Sequence, residues 1–186
     1  MGILRIIAGS LQGQRIRVPD GLSVRPTANR VREALFDILG PSIEGADALD
    51  AYAGSGALGL EALSRGARSV TFLEADREAA LCIRRNVEAM AVESRCRLVV
   101  RPVVPALMKG EAHGPFDVVF ADPPYRMGLD EELLVALSTS GVLLPGARIV
   151  LERDARTAPM TDVIRGPSLS RTVRYGRACL DFYLFK

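Results

Sequence analysis

The chain is poor in the residues that mark several classes of protein. Among its 186 residues are one histidine, two lysines and three cysteines, Cys82, Cys96 and Cys179. The cysteines are odd in number and widely spaced, so we expect reduced core residues rather than a metal or redox pair. His113 lies in a predicted loop and is expected to be an exposed side chain without a catalytic role.

Long apolar runs are also missing. No run approaches the ~20 residues of a membrane span, and the first residues are too short an apolar stretch for a signal peptide. We therefore expect a cytoplasmic protein with no membrane partner and no metal. A length of 186 residues fits one domain or one domain with a small appendage.

Charge is distributed unevenly along the chain. Residues 1–32 hold six arginines and one aspartate, a formal charge of +5, whereas residues 33–147 carry −7 and residues 148–186 carry +4. The basic segments predict contact with a polyanion, and the acidic middle predicts a neutral or cationic ligand.

The beginning of the chain predicts a basic β-hairpin arm. Ile3–Ala8 and Gln14–Val18 have the pattern of two short strands around a turn with two glycines. An isolated hairpin is marginally stable, so it must pack on the rest of the molecule. We place this amino-terminal arm at residues 1–26 and a catalytic domain at residues 27–186, with a helix starting after Thr27.

From residue 48 onward, strands and helices alternate. Such alternation predicts the α/β class, with a mostly parallel sheet and helices on both faces. The predicted strands are Ala48–Ala53, Ser69–Glu74, Cys96–Arg101, Phe116–Ala121 and Ala147–Glu152, and a hairpin formed by Ser170–Arg174 and Ala178–Phe185 follows them.

A glycine-rich segment from Asp50 to Gly59 follows the first of these strands. Glycines let the backbone approach a ligand, and the following helix offers free N–H groups. Glu74 ends the next strand, where a carboxylate can accept hydrogen bonds from ribose hydroxyls. The segment also matches the dinucleotide pattern, but Asp50 would repel a pyrophosphate and attract the ammonium or sulfonium of S-adenosylmethionine. The predicted cofactor-binding residues are Asp50, Ala53, Gly54, Ser55, Gly56, Glu74 and Ala75.

A second segment, Asp122-Pro123-Pro124-Tyr125, ends the apolar strand Phe116–Ala121. The prolines make it stiff, and in an open α/β sheet ligands bind at the carboxyl ends of the strands. The exocyclic amine of a nucleobase is a poor nucleophile. The Asp122 carboxylate and the Pro123 carbonyl can accept its two hydrogens and aim its lone pair at a methyl donor. Tyr125 can stack on the base. Methylation of cytosine carbon 5 would need a cysteine here, and there is none.

Three further stretches carry a resemblance to a known family. They are Arg5-Ile-Ile-Ala-Gly9 with Gly13-Gln-Arg15, Arg25-Pro-Thr27-Ala-Asn-Arg30-Val-Arg-Glu-Ala-Leu-Phe36, and Ala53-Gly-Ser-Gly-Ala-Leu-Gly-Leu-Glu-Ala-Leu-Ser-Arg-Gly66. Together with Asp122–Tyr125 they resemble the bacterial 16S ribosomal RNA guanine-N2 methyltransferases of the RsmD type. The resemblance implies a Rossmann-like class I methyltransferase fold with a seven-stranded sheet, and methyl transfer from S-adenosylmethionine to the 2-amino group of a guanine in small-subunit ribosomal RNA, leaving S-adenosylhomocysteine.

One stretch departs from the family pattern. Where the family usually has Asn or Asp to meet the adenine amine, this chain has Pro102-Val103-Val104. Adenine recognition at that place would have to use backbone groups.

The expected RNA contacts are Arg15, Arg17, Arg25, Thr27 and Arg30, with Arg32 in the same cluster, although ordinary surface charge is the alternative. Asp-Pro-Pro-Tyr also occurs in DNA adenine-N6 and cytosine-N4 methyltransferases, so DNA stays open as a substrate. A nucleic-acid-binding protein without activity is a further alternative. We expect a monomer that acts on ribosomal RNA or on the small ribosomal subunit.

Overall fold

The computed structural model describes residues 2–19, 26–124, 129–161 and 166–186. The arm contains β1 (Gly2–Arg5) and β2 (Arg15–Val18), which pair antiparallel, and α1 (Pro26–Leu39) follows. The remaining elements, in chain order, are β3 (Asp47–Ala51), α2 (Ala57–Ser64), β4 (Ser69–Glu74), α3 (Arg77–Ala89), β5 (Cys96–Val100), α4 (Val103–Met108), β6 (Phe116–Ala121), α5 (Leu129–Thr139), β7 (Leu143–Asp154), β8 (Ser168–Tyr175) and β9 (Ala178–Leu184).

Seven strands form one sheet in the order β5-β4-β3-β6-β7-β9-β8. The strands from β3 to β7 pair in parallel, and β9 joins β7 and β8 by antiparallel pairing. The predicted α/β class and mostly parallel sheet are therefore confirmed. Because the chain runs outward from β3 to β5 and then returns to β6, the order of strands reverses between β3 and β6. That reversal is where open α/β sheets bind ligands.

Two apolar layers cover the two faces of the sheet. One unites side chains of α1, α2 and α3 with one face of the strands, for example Leu35, Leu60 and Ile83. The other unites α4 and α5 with the opposite face, for example Leu107 and Leu134. Within a strand, successive side chains alternate between the layers, as the pleat requires.

The arm packs on α2 and α3 through buried polar groups. Glu61 of α2 is fully buried, and its carboxylate accepts hydrogen bonds from the backbone amides of Ile7 at 2.8 Å and Ala8 at 3.1 Å. The Ser64 hydroxyl accepts a hydrogen bond from the Leu11 amide at 2.9 Å. Gly9 has a φ of +88°, and a Cβ there would lie 1.9 Å from the Ser64 carbonyl oxygen, so only glycine fits this turn. The expectation that the hairpin must lean on the rest of the fold is confirmed, while the domain boundary at residue 26 stays a prediction.

Candidate active site

Two loops leave neighbouring strands at the carboxyl edge of the sheet. β3 and β6 pair in parallel with Ala51 opposite Ala121. Tyr52 and Asp122 follow these two residues directly, so the two sequence motifs begin side by side. The topology therefore brings the glycine-rich segment and the Asp-Pro-Pro segment to one place, as their positions in the sequence predict.

The glycine loop, residues 52–56, has a backbone that ordinary residues resist. Tyr52, Gly54 and Gly56 all have positive φ angles, of 62°, 56° and 77°. A Cβ at Gly56 would lie 3.2 Å from Cε1 of Phe72, and one at Gly59 only 2.4 Å from the same atom. A side chain at either position would therefore crowd Phe72 of β4, so the glycines serve both the turn and the close packing of α2 on the sheet. Strand β3 ends at Ala51, two residues earlier than predicted, because Tyr52 already turns.

Glu74 holds the glycine loop from the end of the adjacent strand. Its Oε2 accepts a hydrogen bond from the Gly54 amide at 2.7 Å, and its Oε1 accepts one from the Asp76 amide at 2.8 Å. Each carboxylate oxygen can accept a further hydrogen bond. Glu74 is therefore fixed in place and still able to bind a pair of hydroxyls.

Asp50 is buried behind the glycine loop. It is only 2% exposed, and its Oδ2 accepts a hydrogen bond from the Gly59 amide at 2.8 Å, at the first turn of α2. Burial raises the pKa of its carboxyl to about 8; the Gly59 amide opposes this rise, and the carboxylates of Glu74 and Asp122 add to it. In the structure Asp50 holds the start of α2. A cation beside it would favour its ionised form.

A cavity of about 950 Å³ lies above the carboxyl edge of the sheet. Of the predicted site residues, it is lined by Gly54, Glu74, Ala75, Asp122, Pro123 and Pro124. Asp122 and Pro124 are exposed and Pro123 is buried. The predicted residues Asp50, Ala53, Ser55 and Gly56 are buried and do not line the cavity: Asp50 lies behind the glycine loop, and the other three belong to it. Tyr125 lies outside the described residues.

Part of the cavity lining is apolar. Pro102, Val103, Val104 and Pro105, at the start of α4, form this part. This is the stretch that departs from the family pattern, and its side chains provide packing surface in place of a polar group. Tyr52 also lines the cavity, and burial raises the pKa of its hydroxyl to about 12, with Asp130 and Glu132 adding to the effect.

The arginines predicted to bind RNA lie in different environments. Arg15 and Arg17 are exposed on one face of β2, and Arg30 is exposed on α1. Arg25 and the side chain of Thr27 lie outside the described residues. The inclusion of Arg32 in a surface cluster is wrong, because Arg32 is only 5% exposed and lines the cavity. Its Nη2 donates to the Arg5 carbonyl, and its Nε lies 3.8 Å from the Glu61 carboxylate. Burial lowers the pKa of this guanidinium, and Glu61 opposes the change.

Sequence reasoning missed the residues that connect the arm to this site. They are Glu61, Ser64 and Asn86, all buried polar residues on α2 and α3. A sign of their role was available for Asn86, which has apolar neighbours at helical spacing and therefore occupies a position that would face the interior. Their partners lie more than 30 residues away in sequence, and nothing in the sequence points to them.

Comparison with known proteins agrees with this geometry. A family model described as Conserved hypothetical protein 95 matches residues 4–184. The ribosomal RNA small subunit methyltransferase D of Haemophilus influenzae is 40% identical over 154 residues, which cover 82% of this chain and 80% of that protein. The chain belongs to the RsmD family. The structure of the Escherichia coli protein YhhF is 39% identical and matches with a TM-score of 0.88, covering 100% of this chain and 99% of the other.

The RsmD family fold is shared with more distant methyltransferases. The 16S ribosomal RNA N2 G1207 methyltransferase of Thermus thermophilus, solved with S-adenosylmethionine and guanosine, has a TM-score of 0.70 at 22% identity, over 100% of this chain and 50% of that one. At this identity the likeness concerns the fold, and it confirms the prediction of the S-adenosylmethionine-dependent methyltransferase fold. Within the described residues, no cluster of acidic, histidine or cysteine side chains could hold a metal ion. No helix in that part of the chain is long and apolar enough to cross a membrane.

Proposed function

We propose that this protein transfers a methyl group from S-adenosylmethionine to the 2-amino group of a guanine in small-subunit ribosomal RNA. The observation that carries the proposal is the single cavity that joins Gly54 and Glu74 to Asp122 and Pro123. The residues proposed to bind the cofactor and those proposed to bind the acceptor base thus line the same cavity. A ribosomal substrate would also place the protein in the cytoplasm, as the sequence predicts.

The residues of the cavity fit a nucleoside cofactor. Glu74 is held by two amides with acceptor capacity remaining for ribose hydroxyls. The apolar stretch at the start of α4 offers a surface for a flat ring. Gly54, Ser55 and Gly56 shape the backbone near the amino end of α2, while Glu74 and Asp122 supply carboxylates at the cavity and Asp50 would ionise beside a bound cation. Bound there, S-adenosylmethionine would supply an electrophilic methyl group carried on a positively charged sulfur.

The acceptor side of the reaction would use Asp122 and Pro123. The Asp122 carboxylate would accept a hydrogen bond from one N–H of the guanine amine, and the Pro123 carbonyl would accept one from the other. Both bonds draw the nitrogen toward pyramidal geometry, which directs its lone pair at the methyl donor. When the nitrogen gains the methyl group and the carbon–sulfur bond breaks, the hydrogen-bonded Asp122 carboxylate would accept the proton that the amine releases. The site would also align the amine nitrogen, the methyl carbon and the leaving sulfur. Such positioning alone can accelerate a reaction strongly. Tyr125 would stack on the base.

RNA would be held by the arm while one base enters the cavity. A stacked or paired guanine cannot reach the carboxyl edge of the sheet, so it must turn out of its helix at a cost of a few kcal/mol. Arg15, Arg17 and Arg30 are exposed and can offset this cost by phosphate contacts outside the cavity. Arg25 and Thr27 stay predicted members of this interface.

Nucleoside mass spectrometry tests the proposal. Small-subunit ribosomal RNA, incubated with the protein and S-adenosylmethionine, should gain N2-methylguanosine, and assembled small subunits tested in parallel would identify the preferred form of the substrate. Methylation of DNA at adenine N6 or cytosine N4 instead would replace the RNA proposal with the DNA alternative. A product methylated only on ring carbon would contradict the role given to Asp122.

A further inference from the structure

Asn86 lies at the centre of a buried hydrogen-bond cluster between the arm and the glycine loop. The residue is 1% exposed. Its Oδ1 accepts a hydrogen bond from the Arg17 amide at 2.9 Å, and its Nδ2 donates to the Arg17 carbonyl at 2.9 Å and to the Ser55 carbonyl at 3.0 Å. One side chain therefore binds both backbone groups of a residue in β2 and one backbone group of the glycine loop.

The partners fix the orientation of this amide. The Arg17 N–H can only face the oxygen of Asn86, and the two carbonyls can only face its nitrogen. All three bonds are buried or partly buried, so loss of a partner would leave a polar group without compensation. The loop cannot shift at Ser55 without disturbing the side chain that holds Arg17.

The buried hydrogen bonds of Asn86 thereby fix the position of β2, whose exposed side chains face solvent. Arg17 points its side chain to solvent on the same face of β2 as Arg15, while its backbone is fixed by Asn86. Cys82, one helical turn before Asn86, donates to the same Arg17 carbonyl at 3.1 Å and lies 3.8 Å from Asn86 Nδ2, but within the described residues none of its hydrogen bonds reaches the glycine loop. Asn86 is thus distinguished from its neighbour by the bond to Ser55.

We propose that Asn86 is a positioning residue that couples the arm to the glycine loop, so that RNA and the methyl-donor cofactor bind cooperatively. A cofactor that orders the glycine loop also restricts Asn86 and, through it, β2, so the arm loses less freedom when RNA binds. By linkage, RNA must increase cofactor affinity by the same factor. This inference rests on the proposed function, because it takes the arm as the RNA-binding surface.

A thermodynamic cycle tests the coupling. The Kd of a small-subunit ribosomal RNA fragment would be measured with and without saturating S-adenosylhomocysteine, and the Kd of S-adenosylhomocysteine with and without the RNA. For the unmodified protein we expect each ligand to tighten the other by about fivefold or more, the usual lower range of such couplings. Asn86→Ala should reduce the factor to about one, since no coupling energy remains.

Cys82→Ala provides the matched control. It removes a donor to the same Arg17 carbonyl and the long sulfur contact to Asn86 Nδ2 at 3.8 Å, and it leaves the bonds of Asn86 to Arg17 and Ser55 in place, so the coupling factor should be retained. If Asn86 only stabilised the fold, Asn86→Ala and Cys82→Ala would lower the coupling factor by similar amounts. Absence of coupling in the unmodified protein, or its persistence in Asn86→Ala, would overturn the inference.

Hydrogen–deuterium exchange supplies a test that needs no variant. The Arg17 amide is bonded to Asn86, so adding S-adenosylhomocysteine should slow exchange in residues 15–18 when no RNA is present. Unchanged exchange there would overturn the inference even if Asn86→Ala did not fold. Replacing Arg15 and Arg17 with Ala separates this failure from that of the proposed function. If RNA binding is unaffected by that change, the arm is not the RNA surface, and the exchange result still decides whether cofactor and arm are coupled.

Discussion

Asp50 is a carboxyl group whose ionisation should respond to the cofactor. Burial holds its pKa near 8, above the value in an unfolded chain, so the folded protein keeps a proton that the unfolded chain releases. The free energy of unfolding contributed by this group therefore falls as pH rises from about 4 to about 8. A sulfonium in the cavity would favour the charged carboxylate.

We accordingly expect S-adenosylmethionine binding to tighten with pH between about 6 and 8, by at most about tenfold per pH unit, with release of a proton. Calorimetry in two buffers of different ionisation enthalpy would measure the released proton. Asp50→Asn retains an acceptor for the Gly59 amide and keeps any pH dependence of the ligand itself, so it serves as the control. Equal pH dependence in both proteins would contradict this role of Asp50.

Asp122 should affect turnover and not cofactor affinity. Its proposed partner is the acceptor amine, so Asp122→Ala should lower kcat by about a hundredfold or more, the usual range for such a group. Single-turnover methyl transfer to ribosomal RNA would measure the change, and calorimetry with S-adenosylhomocysteine would supply the comparison. A large loss of cofactor affinity with unchanged single-turnover rate would show that Asp122 belongs to the cofactor site instead.

At the scale of elements, α2 depends on one buried carboxylate to hold the arm. Glu61 binds two backbone amides of the arm and the Nε of Arg65 at 2.8 Å, and it lies beside buried Arg32. Glu61→Gln removes the charge that compensates Arg32 and places an amide against backbone donors. We expect a loss of about 3–5 kcal/mol in the free energy of unfolding.

Asp37→Asn is the matched control for Glu61→Gln. Asp37 also pairs with Arg65, at 3.6 Å, but its side chain is 67% exposed. The same chemical change there should cost less than about 1 kcal/mol. Denaturant unfolding of both variants gives the comparison, and similar losses would mean that the buried carboxylate is not what secures the arm.

Where an element has a clear local sequence pattern, its first and last residues could be predicted from the sequence. Strands β4 and β6 begin and end where expected, because apolar β-forming residues are bounded by loop residues. Strand β7 could not be predicted in full: its first four residues include Pro145 and Gly146, which indicate a break, yet pairing with β6 and β9 extends the strand over Leu143–Asp154. Tertiary pairing overrides local preference there.

The same distinction applies to the site. That Gly54, Glu74 and Asp122 line one cavity was predictable, because a loop after a strand carries its chemistry in a few consecutive residues. The burial of Arg32 was not, because a run of arginines at the start of a helix resembles surface charge. Glu61, which carries the charge opposite to that of Arg32, is 29 residues away in a segment whose sequence has the pattern of an ordinary helix.

At the scale of the whole molecule, the two signs of charge occupy different surfaces. Acidic side chains line the cavity, including Glu74, Asp76, Asp122 and Glu152, while Arg15 and Arg17 are exposed on the arm. A cavity with this lining repels phosphates and admits a neutral base or a cationic cofactor. The RNA backbone should therefore stay outside it.

The salt dependence of RNA binding tests this separation. Arg15→Ala/Arg17→Ala should reduce the slope of log Kd against log salt by about one to two, because each lost phosphate contact removes counterion release. Arg84→Ala/Arg97→Ala removes the same charge from two exposed positions on α3 and β5, outside the basic segments, and should leave the slope nearly unchanged. Equal slopes for all three proteins would direct attention to the basic carboxyl-terminal hairpin.

The docking of the arm has a consequence for the order of events during synthesis. The ribosome makes the arm before the elements that bind it, since domains emerge from their amino terminus. After Ile7, 54 further residues must be added to reach Glu61, and after Arg17, 69 must be added to reach Asn86. Before that point the Ile7 and Arg17 amides lack these partners, although the arginines of the arm are already part of the chain. The backbone of β2 can form its hydrogen bonds to Asn86 only after α3 has left the exit tunnel.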